Sequence, residues 1–320
     1  MTTAPIFERL CLVGIGLIGG SIALRAKRDG QAKHVVAYTR KKETAARAQE
    51  LDLADEYTTV LRDAVADADC VILCTPVGTF AALAERMAPY LKPGCIISDA
   101  GSVKRSVISQ IEPHLPDGVH LIPGHPIAGT EHSGPDAAFA TLYDDRWCLL
   151  TPPANADPEA VAKMTALWEG LGSQVELMDP DHHDRVLAVT SHIPHLIAYN
   201  IVGTASDLEE VAQSEVIKFS ASGFRDFTRI AASDPVMWRD VFLHNKDAVL
   251  EMLGRFSEDL SALQRAVRWG DGDLLFDHFT KTREIRRGII DAGQEVDLPN
   301  FGRYTSDEPS DKVEPVESKS

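Results

Sequence analysis

The chain has 320 residues and a formal net charge of −16, and 44% of its residues are apolar while 25% are charged. This composition is that of a soluble globular protein long enough for two domains, and the negative charge argues against nucleic acid binding because phosphates require a basic surface. The sequence shows no apolar run as long as a membrane span and no signal peptide, so we expect a cytoplasmic protein without a nucleic acid or membrane partner.

Five cysteines fall in predicted core strands, at positions 11, 70, 74, 95 and 148. An odd count does not suit a disulfide framework, and a buried thiol behaves as a small hydrophobic group. Cys70 and Cys74 are four residues apart, which raises the alternative of a metal site. Only apolar residues lie between them and no second pair follows, so we expect core thiols and no metal.

A glycine-rich turn near the start of the chain predicts a dinucleotide site. The apolar run Leu10–Val13 reads as a strand buried on both faces, and Gly14, Gly16 and Gly19 follow it at once. In this pattern the first glycine allows the tight turn, the second lets a pyrophosphate approach the backbone, and the third lets the next helix lie close to the sheet. The alternative is a glycine-rich turn without a ligand.

The helix predicted to follow, residues 17–29, points its first N–H groups at the phosphates, and Leu17 and Ile18 lie in that first turn. Thr75 and Pro76 come directly after another apolar strand. Ligands of open α/β sheets bind at the carboxyl ends of the strands, so we place all four residues at the cofactor.

The end of the second predicted strand, residues 34–38, bears on the choice of cofactor. NAD-binding folds place an acid there for the ribose hydroxyls. Here Thr39 and Arg40 are followed by Lys41 and Lys42. Cations at a helix start oppose the helix dipole, which favours a 2′-phosphate partner and therefore NADP over NAD. The alternative is a solvated basic helix start.

Strands and helices alternate up to residue 177, which predicts an α/β fold with a doubly wound Rossmann-type domain. Further strands are expected at 57–59, 70–74, 95–98, 120–123, 147–150 and 174–177, and helices at 43–53, 61–68, 80–91 and 103–111, with one more starting near residue 157. Ser102 is placed to cap the helix over 103–111.

From residue 180 onward the pattern is helical only. Helices are expected at 182–203, 208–219, 235–267 and 273–292, with breaks at 221–223 and 233–235. We therefore predict a dinucleotide-binding domain over residues 1–179, an all-helical C-terminal domain for substrate binding and dimerisation over 180–300, and a disordered tail over 301–320, which is rich in Ser, Pro, Asp and Glu.

Three segments of the sequence are candidates for catalysis or substrate binding. His125 follows a strand and is expected on a loop facing the nicotinamide, where a histidine serves as a general base at neutral pH. His192 and His195 share a helix face and read as substrate contacts or as core histidines; a metal site would need His182–Asp184 in addition. Arg225 and Arg229 lie among aromatic residues, and an arginine holds a carboxylate with two parallel bonds.

Five motifs, in order and at matching spacing, resemble the prephenate/arogenate dehydrogenase family of tyrosine biosynthesis. They are Gly14–Ser21, Asp99–Lys104, Gly124–Glu131, Thr190–His195 and Gly223–Pro235. The resemblance implies oxidative decarboxylation of prephenate or arogenate with hydride transfer to NAD or NADP, and a homodimer formed by the helical domain.

The same resemblance implies roles for individual residues. His125 is the catalytic base, Ser102 touches substrate and nicotinamide, and Arg229 binds the substrate carboxylate. The further substrate contacts implied are Ser191, His192, His195, Thr130, Glu131 and Asp226. Thr39 and Arg40 depart from the NAD-using members, which carry an acid there, and resemble the NADP-using members.

Two other functions remain open from the sequence. One is a dehydrogenase of the β-hydroxyacid or imine-reducing kind, which relies on a catalytic lysine or another polar pair in the helical domain. The other is a dinucleotide sensor without catalysis, which needs the glycine loop but neither His125 nor Arg229. Consumption of prephenate by the purified protein separates the three.

Overall fold

The computed structural model describes residues 4–130, 132–207 and 222–289. The chain divides into two compact units between Leu253 and Gly254. The helix predicted over 208–219, residue Glu131 and the tail over 301–320 lie outside the described residues.

The first unit contains a six-stranded parallel sheet, and this confirms the predicted doubly wound α/β fold. The strand order is β3-β2-β1-β4-β5-β6, in which the chain winds outward from β1 to either side. The strands are β1 (Phe7–Val13), β2 (Ala32–Tyr38), β3 (Glu56–Thr58), β4 (Cys70–Leu73), β5 (Ile96–Asp99) and β6 (His120–Leu121).

Helices cover both faces of this sheet, which is why its strands are apolar on both sides. Leu10 and Leu12 of β1 belong to one buried cluster, and Cys11 and Val13 belong to the other. Between the strands lie α1 (Leu17–Arg28), α2 (Lys42–Glu50), α3 (Leu61–Val65), α4 (Phe80–Met87) and α5 (Arg105–Ile111). All five cysteines are free and only Cys74 is not fully buried, as expected for core thiols.

The carboxyl ends of four neighbouring strands lie in register. Val13 pairs with Tyr38 on one side and with Leu73 on the other, and Leu73 pairs with Asp99. The segments that follow these strands therefore emerge side by side at one edge of the sheet.

A second, three-stranded sheet carries the predicted catalytic histidine. It consists of β7 (Gly124–Pro126), β8 (Trp147–Leu150) and β9 (Gln174–Leu177), with β7 antiparallel to β8. The expectation that His125 lies on a loop is wrong, because the residue lies in β7, pairs with Leu149 of β8 and is only 8% exposed.

Helix α6 (Pro158–Gly170) connects β8 to β9, and Asp157 caps it by accepting a hydrogen bond from the Ala160 N–H. This helix starts where the sequence predicted it.

The C-terminal part of the described chain is helical. It contains α7 (Pro180–Leu187), a π-helical turn (Ala188–His192), α8 (Ile193–Ser206), α9 (Ser222–Thr228), a 3-10 turn (Arg229–Ala232), α10 (Pro235–His244), α11 (Lys246–Trp269) and α12 (Gly272–Ile289). The long helix predicted over 235–267 is interrupted at Asn245, and Ser222 and Gly223 begin a helix where a break was expected.

The continuous helical run Pro180–Ser206 is long and apolar enough to cross a membrane by length and composition alone. Its polar side chains, however, make hydrogen bonds to other elements of the fold, as with Asp184 and His192. These bonds tie the helical run to the start of α5 and to Asn245.

Candidate active site

The glycine-rich turn has the geometry that a dinucleotide pyrophosphate requires. Gly14 has φ +108°, and a Cβ there would lie 2.8 Å from the Cys74 carbonyl oxygen. A Cβ on Gly19 would lie 2.0 Å from the Gly14 carbonyl oxygen, so both positions need glycine for packing. At Gly16 the nearest atom would be 3.9 Å away, so packing alone does not exclude a side chain. Glycine at position 16 is therefore not required by packing, which fits a backbone that a ligand approaches closely.

The other predicted cofactor residues lie around this turn. The Gly14 N–H donates to the Tyr38 carbonyl oxygen at 2.9 Å, which places Thr39 beside the turn. The Thr75 methyl group lies 3.0 Å from the position of a Cβ on Gly14, and Pro76 follows it, exposed. Arg40, Lys41 and Lys42 are exposed, and within the described ranges no side-chain partner pairs with them.

His125 is the first member of a chain of three hydrogen-bonded side chains. Its Nδ1 lies 2.9 Å from Nε2 of His183, and Nδ1 of His183 lies 2.9 Å from Oδ1 of Asp184. All three residues are buried. The chain joins β7 to α7 across the site.

This arrangement determines which nitrogen of His125 is free. An ionised carboxylate only accepts hydrogen bonds, so Asp184 receives the proton-bearing Nδ1 of His183. Nε2 of the neutral His183 ring is then an acceptor, and His125 must donate to it from Nδ1. Nε2 of His125 is left with its lone pair, which is the state of a general base.

The electrostatic surroundings keep His125 neutral. Burial, followed by repulsion from His183 and Lys104, lowers the pKa of His125 well below its ordinary value of 6.5. Burial also lowers the pKa of His183, although its bond to Asp184 opposes that shift. His125 is therefore unprotonated at neutral pH, the form in which a histidine can act as a base.

Asp184 also caps α5. Its carboxylate accepts the backbone N–H of Lys104 at 2.8 Å and that of Arg105 at 3.0 Å. The expectation that Ser102 caps this helix is wrong. The helix begins at Arg105, and the N–H groups at its start donate to Asp184. Ser102 is half-buried one turn earlier, with its backbone beside His192.

A buried ion pair supports the strand that carries His125. Nζ of Lys104 lies 2.5 Å from Oδ2 of Asp99 and 2.6 Å from the carbonyl oxygen of Gly124, the residue before His125. Asp99 also accepts the N–H groups of Gly101 and Gly124. Burial raises the pKa of Asp99 and lowers that of Lys104, while the attraction between them opposes both shifts. The pair ties the end of β5 to β7.

The helical side of the site contains His192, His195 and Arg229. His192 is fully buried beside Asn245, at 3.1 Å from Nδ1 to Nδ2, and burial lowers its pKa to about 4. His195 stacks on Trp238 with ring centroids 3.6 Å apart, and its Nδ1 bonds to the Ser191 carbonyl oxygen. Burial lowers the pKa of His195, and the charge of nearby Arg229 adds to this effect.

Other predicted substrate residues are not part of this cluster. Thr130 is exposed and its Oγ1 accepts the His132 N–H, and Asp226 is exposed on α9. Within the described ranges no hydrogen bond joins either of them to His125. In the part of the chain that the structure describes, no group of three or more His, Cys, Asp and Glu side chains is arranged to hold a metal ion.

Four residues of the site had no function assigned from the sequence: Asp99, Lys104, His183 and Asp184. Asp99 and Lys104 are the first and last residues of one motif that the sequence singled out. His183 and Asp184 were considered only as metal ligands. Their position directly after the last strand of the α/β domain was the available signal.

Comparison with known proteins covers most of the chain. Residues 22–177 match the nucleotide-binding domain of prephenate dehydrogenase, and residues 179–281 match its dimerization domain. The cyclohexadienyl dehydrogenase of Zymomonas mobilis is 42% identical over 89% of this chain and 97% of that protein. The prephenate dehydrogenase of Bacillus subtilis is 34% identical over 88% of this chain and 76% of that protein.

A solved structure is similar over the same range. The crystal structure of Aquifex aeolicus prephenate dehydrogenase, in complex with hydroxyphenyl propionate and NAD+, has a TM-score of 0.82 and 33% identity, and the match covers 88% of this chain and 98% of that one. Sequence, fold and the two matched domains agree, and the chain belongs to the prephenate dehydrogenase family.

Proposed function

We propose that this protein catalyses the oxidative decarboxylation of prephenate or arogenate with a nicotinamide dinucleotide, the step that yields 4-hydroxyphenylpyruvate or tyrosine. The observation that carries the proposal is the chain of His125, His183 and Asp184, which leaves one basic nitrogen on His125. A dinucleotide sensor has no need of this arrangement. Initial rates with prephenate and with arogenate test the proposal and identify the preferred substrate, and no turnover of either would contradict it.

The protein's own residues account for the proton transfer. The ring hydroxyl of the cyclohexadienol gives its proton to Nε2 of His125 as C4 loses hydride, while Asp184 and His183 hold the imidazole in the required tautomer. When bound, the nicotinamide ring is the hydride acceptor. The bond from the substrate ring to its carboxylate then breaks and CO2 leaves. The electron pair of that bond makes the substrate ring aromatic. His125 returns its proton to the phenolate oxygen.

Ser102 and the helical side of the site position the substrate in this scheme. Ser102 lies between Asp99 and the histidine chain along the sequence, and its backbone adjoins His192. Arg229 binds a substrate carboxylate and His195 lies near it. Ser191, Thr130, Glu131 and Asp226 remain proposed substrate contacts from the family resemblance. Holding the ring against His125 is the entropic part of catalysis.

Arg229→Ala is expected to raise KM by about 10–100-fold with a much smaller change in kcat, because a bond to a charged group made equally in ground and transition states is lost. Arg229→Lys should recover only part of the affinity, since lysine lacks the planar fork. Arg225→Ala is the matched control and should leave KM near wild type. Normal KM in Arg229→Ala would transfer the role to Arg225.

NADP is the proposed better cofactor. Thr39 can donate a hydrogen bond to a 2′-phosphate, and the Arg40 guanidinium suits phosphate geometry. Lys41 and Lys42 add attraction that salt weakens. The absence of an acid at the end of β2 removes the usual partner of the ribose diol.

Arg40→Ala is expected to lower the NADP-to-NAD ratio of kcat/KM by about tenfold, the usual worth of one charged hydrogen bond. High salt should lower the wild-type ratio in the same direction. Arg28→Ala removes an exposed cation at the C-terminal end of α1, which is the end away from the glycine-rich turn. This variant should leave the ratio unchanged. Preference for NAD in the wild type would identify the basic turn as a solvated helix start.

The protein is proposed to act as a cytoplasmic homodimer. The match to a dimerization domain over residues 179–281 supports this, and so do the large apolar side chains exposed on α12, such as Phe276 at 70%. Exposed apolar area of this kind is typical of an interaction surface.

A further inference from the structure

A segment that follows β7, the strand of His125, lies against the glycine-rich turn and the first turns of α1. We call residues His132–Tyr143 the strap. The Phe139 N–H donates to Oγ of the fully buried Ser21 at 3.1 Å, and the Tyr143 hydroxyl donates to the Ile18 carbonyl oxygen at 2.8 Å. The strap is therefore bonded to the same helical turns whose N-terminus faces the cofactor.

Gly20 provides the space in which the strap lies. A Cβ on Gly20 would lie 2.6 Å from Cβ of Ala138, closer than real Cβ atoms approach. Glycine is unfavourable inside a helix, so a fourth glycine directly after Gly19 needs a separate reason. The reason is the methyl group of Ala138, not the pyrophosphate.

The strap brings Gly134 next to Gly16. Its backbone nitrogen is the nearest atom, at 3.9 Å, to the position a Cβ on Gly16 would take. Gly134 has φ +89°, a conformation that favours glycine. The backbone amide of Gly134 and the first turn of α1 thus lie next to each other at Gly16, with the Gly134 nitrogen within van der Waals reach of a Cβ there.

An ion pair holds this part of the strap to α2. Nε and Nη2 of Arg47 lie 2.8 and 2.5 Å from Oδ1 of Asp136, two residues beyond Gly134. The bond to Arg47 lowers the pKa of Asp136 and offsets its negative charge. Arg47 also pairs with Glu50, which lies on α2 and not on the strap.

We propose that the strap is a second wall of the cofactor site and that the Gly134 N–H donates a hydrogen bond to the dinucleotide pyrophosphate. Gly20 and Ser21 seat the strap, and the Arg47–Asp136 pair fixes its position. The proposal rests on dinucleotide binding by this domain and assigns to Gly20, Ser21 and Gly134 a role that the glycine motif alone does not explain.

The test is the Kd of NADP+, NAD+ and ADP-ribose, measured by calorimetry on the full-length protein. ADP-ribose keeps the pyrophosphate and lacks the nicotinamide. Gly20→Ala should raise the Kd of each of the three ligands by about tenfold, the worth of one hydrogen bond to a charged group. The double variant Gly20→Ala, Ala138→Gly restores the space and should recover most of the affinity.

Two milder variants keep the test valid if Gly20→Ala folds poorly. Ser21→Ala removes one strap bond and Asp136→Asn weakens the ion pair, so each should raise the three Kd values by a few-fold. Glu50→Gln removes the partner of Arg47 that is not on the strap and should change nothing.

Three results would overturn the proposal. They are unchanged Kd values in Gly20→Ala and Ser21→Ala, a loss in Gly20→Ala that Ala138→Gly does not restore, or an equal loss in Glu50→Gln and Asp136→Asn. A wild-type protein that binds none of the three ligands would instead contradict dinucleotide binding itself, so the two failures are distinguishable.

Discussion

Replacing His125 with Asn is expected to lower kcat by about 10²–10⁴-fold, the usual worth of a positioned general base. An Asn amide can still donate to Nε2 of His183, as Nδ1 of His125 does, but it offers no basic nitrogen to the substrate. The Kd of the dinucleotide, measured by calorimetry, should stay near the wild-type value because the glycine turn is untouched. Near-normal kcat in this variant would remove His125 from the proton transfer.

The hydrogen-bonded chain of His125, His183 and Asp184 predicts a smaller loss of kcat when Asp184 is replaced. Asp184→Asn leaves His125 in place but weakens the preference of His183 for the tautomer that accepts from it. The variant also weakens the cap of α5, so its kcat should be compared at equal folded fraction. A kcat loss larger than that of His125→Asn would mean that Asp184 acts mainly through the fold.

Lys104→Met is expected to cost about 3–5 kcal/mol of unfolding free energy, because it leaves the Asp99 carboxylate buried and unpaired. Lys104 is fully buried and its two hydrogen-bond partners, Asp99 and the Gly124 carbonyl, are buried as well. Chemical denaturation of the variant and the wild type measures the loss.

The double variant Asp99→Asn, Lys104→Met separates charge from packing. It removes the unpaired charge while the Asn side-chain oxygen can still accept the Gly101 and Gly124 N–H groups. Its stability should lie between that of the wild type and that of Lys104→Met. A double variant less stable than the single one would show that Asp99 does not depend on Lys104 for its burial.

The sheet and the cofactor edge could be predicted because local sequence determines them. The apolar run before Gly14 is buried on both faces of β1, and the same holds for β4 before Thr75. Parallel strands then bring their carboxyl ends together, so residues far apart in sequence meet by a rule of topology rather than by side-chain chemistry.

The histidine chain could not be predicted in this way. His125 and His183 are 58 residues apart, and neither the pairing nor the choice of nitrogen leaves a mark on local sequence. Ser102 was expected to cap α5 because a serine stands at the right place, but Asp184, 80 residues from Lys104, takes those N–H groups. The break at Asn245 is of the same kind, since its side chain is held by Asp184 and His192.

The pH dependence of kcat/KM for prephenate, at saturating cofactor, tests the central claim most directly. His125 acts as a neutral base, and its pKa lies well below 6.5, so activity is lost only when the ring gains a proton. We therefore expect kcat/KM to be flat from about pH 8 down to about pH 6.5 and to fall only in more acidic solution. A value that rises between about pH 6.5 and pH 8 would mean that the base is protonated at neutral pH, which contradicts the state of His125 described here.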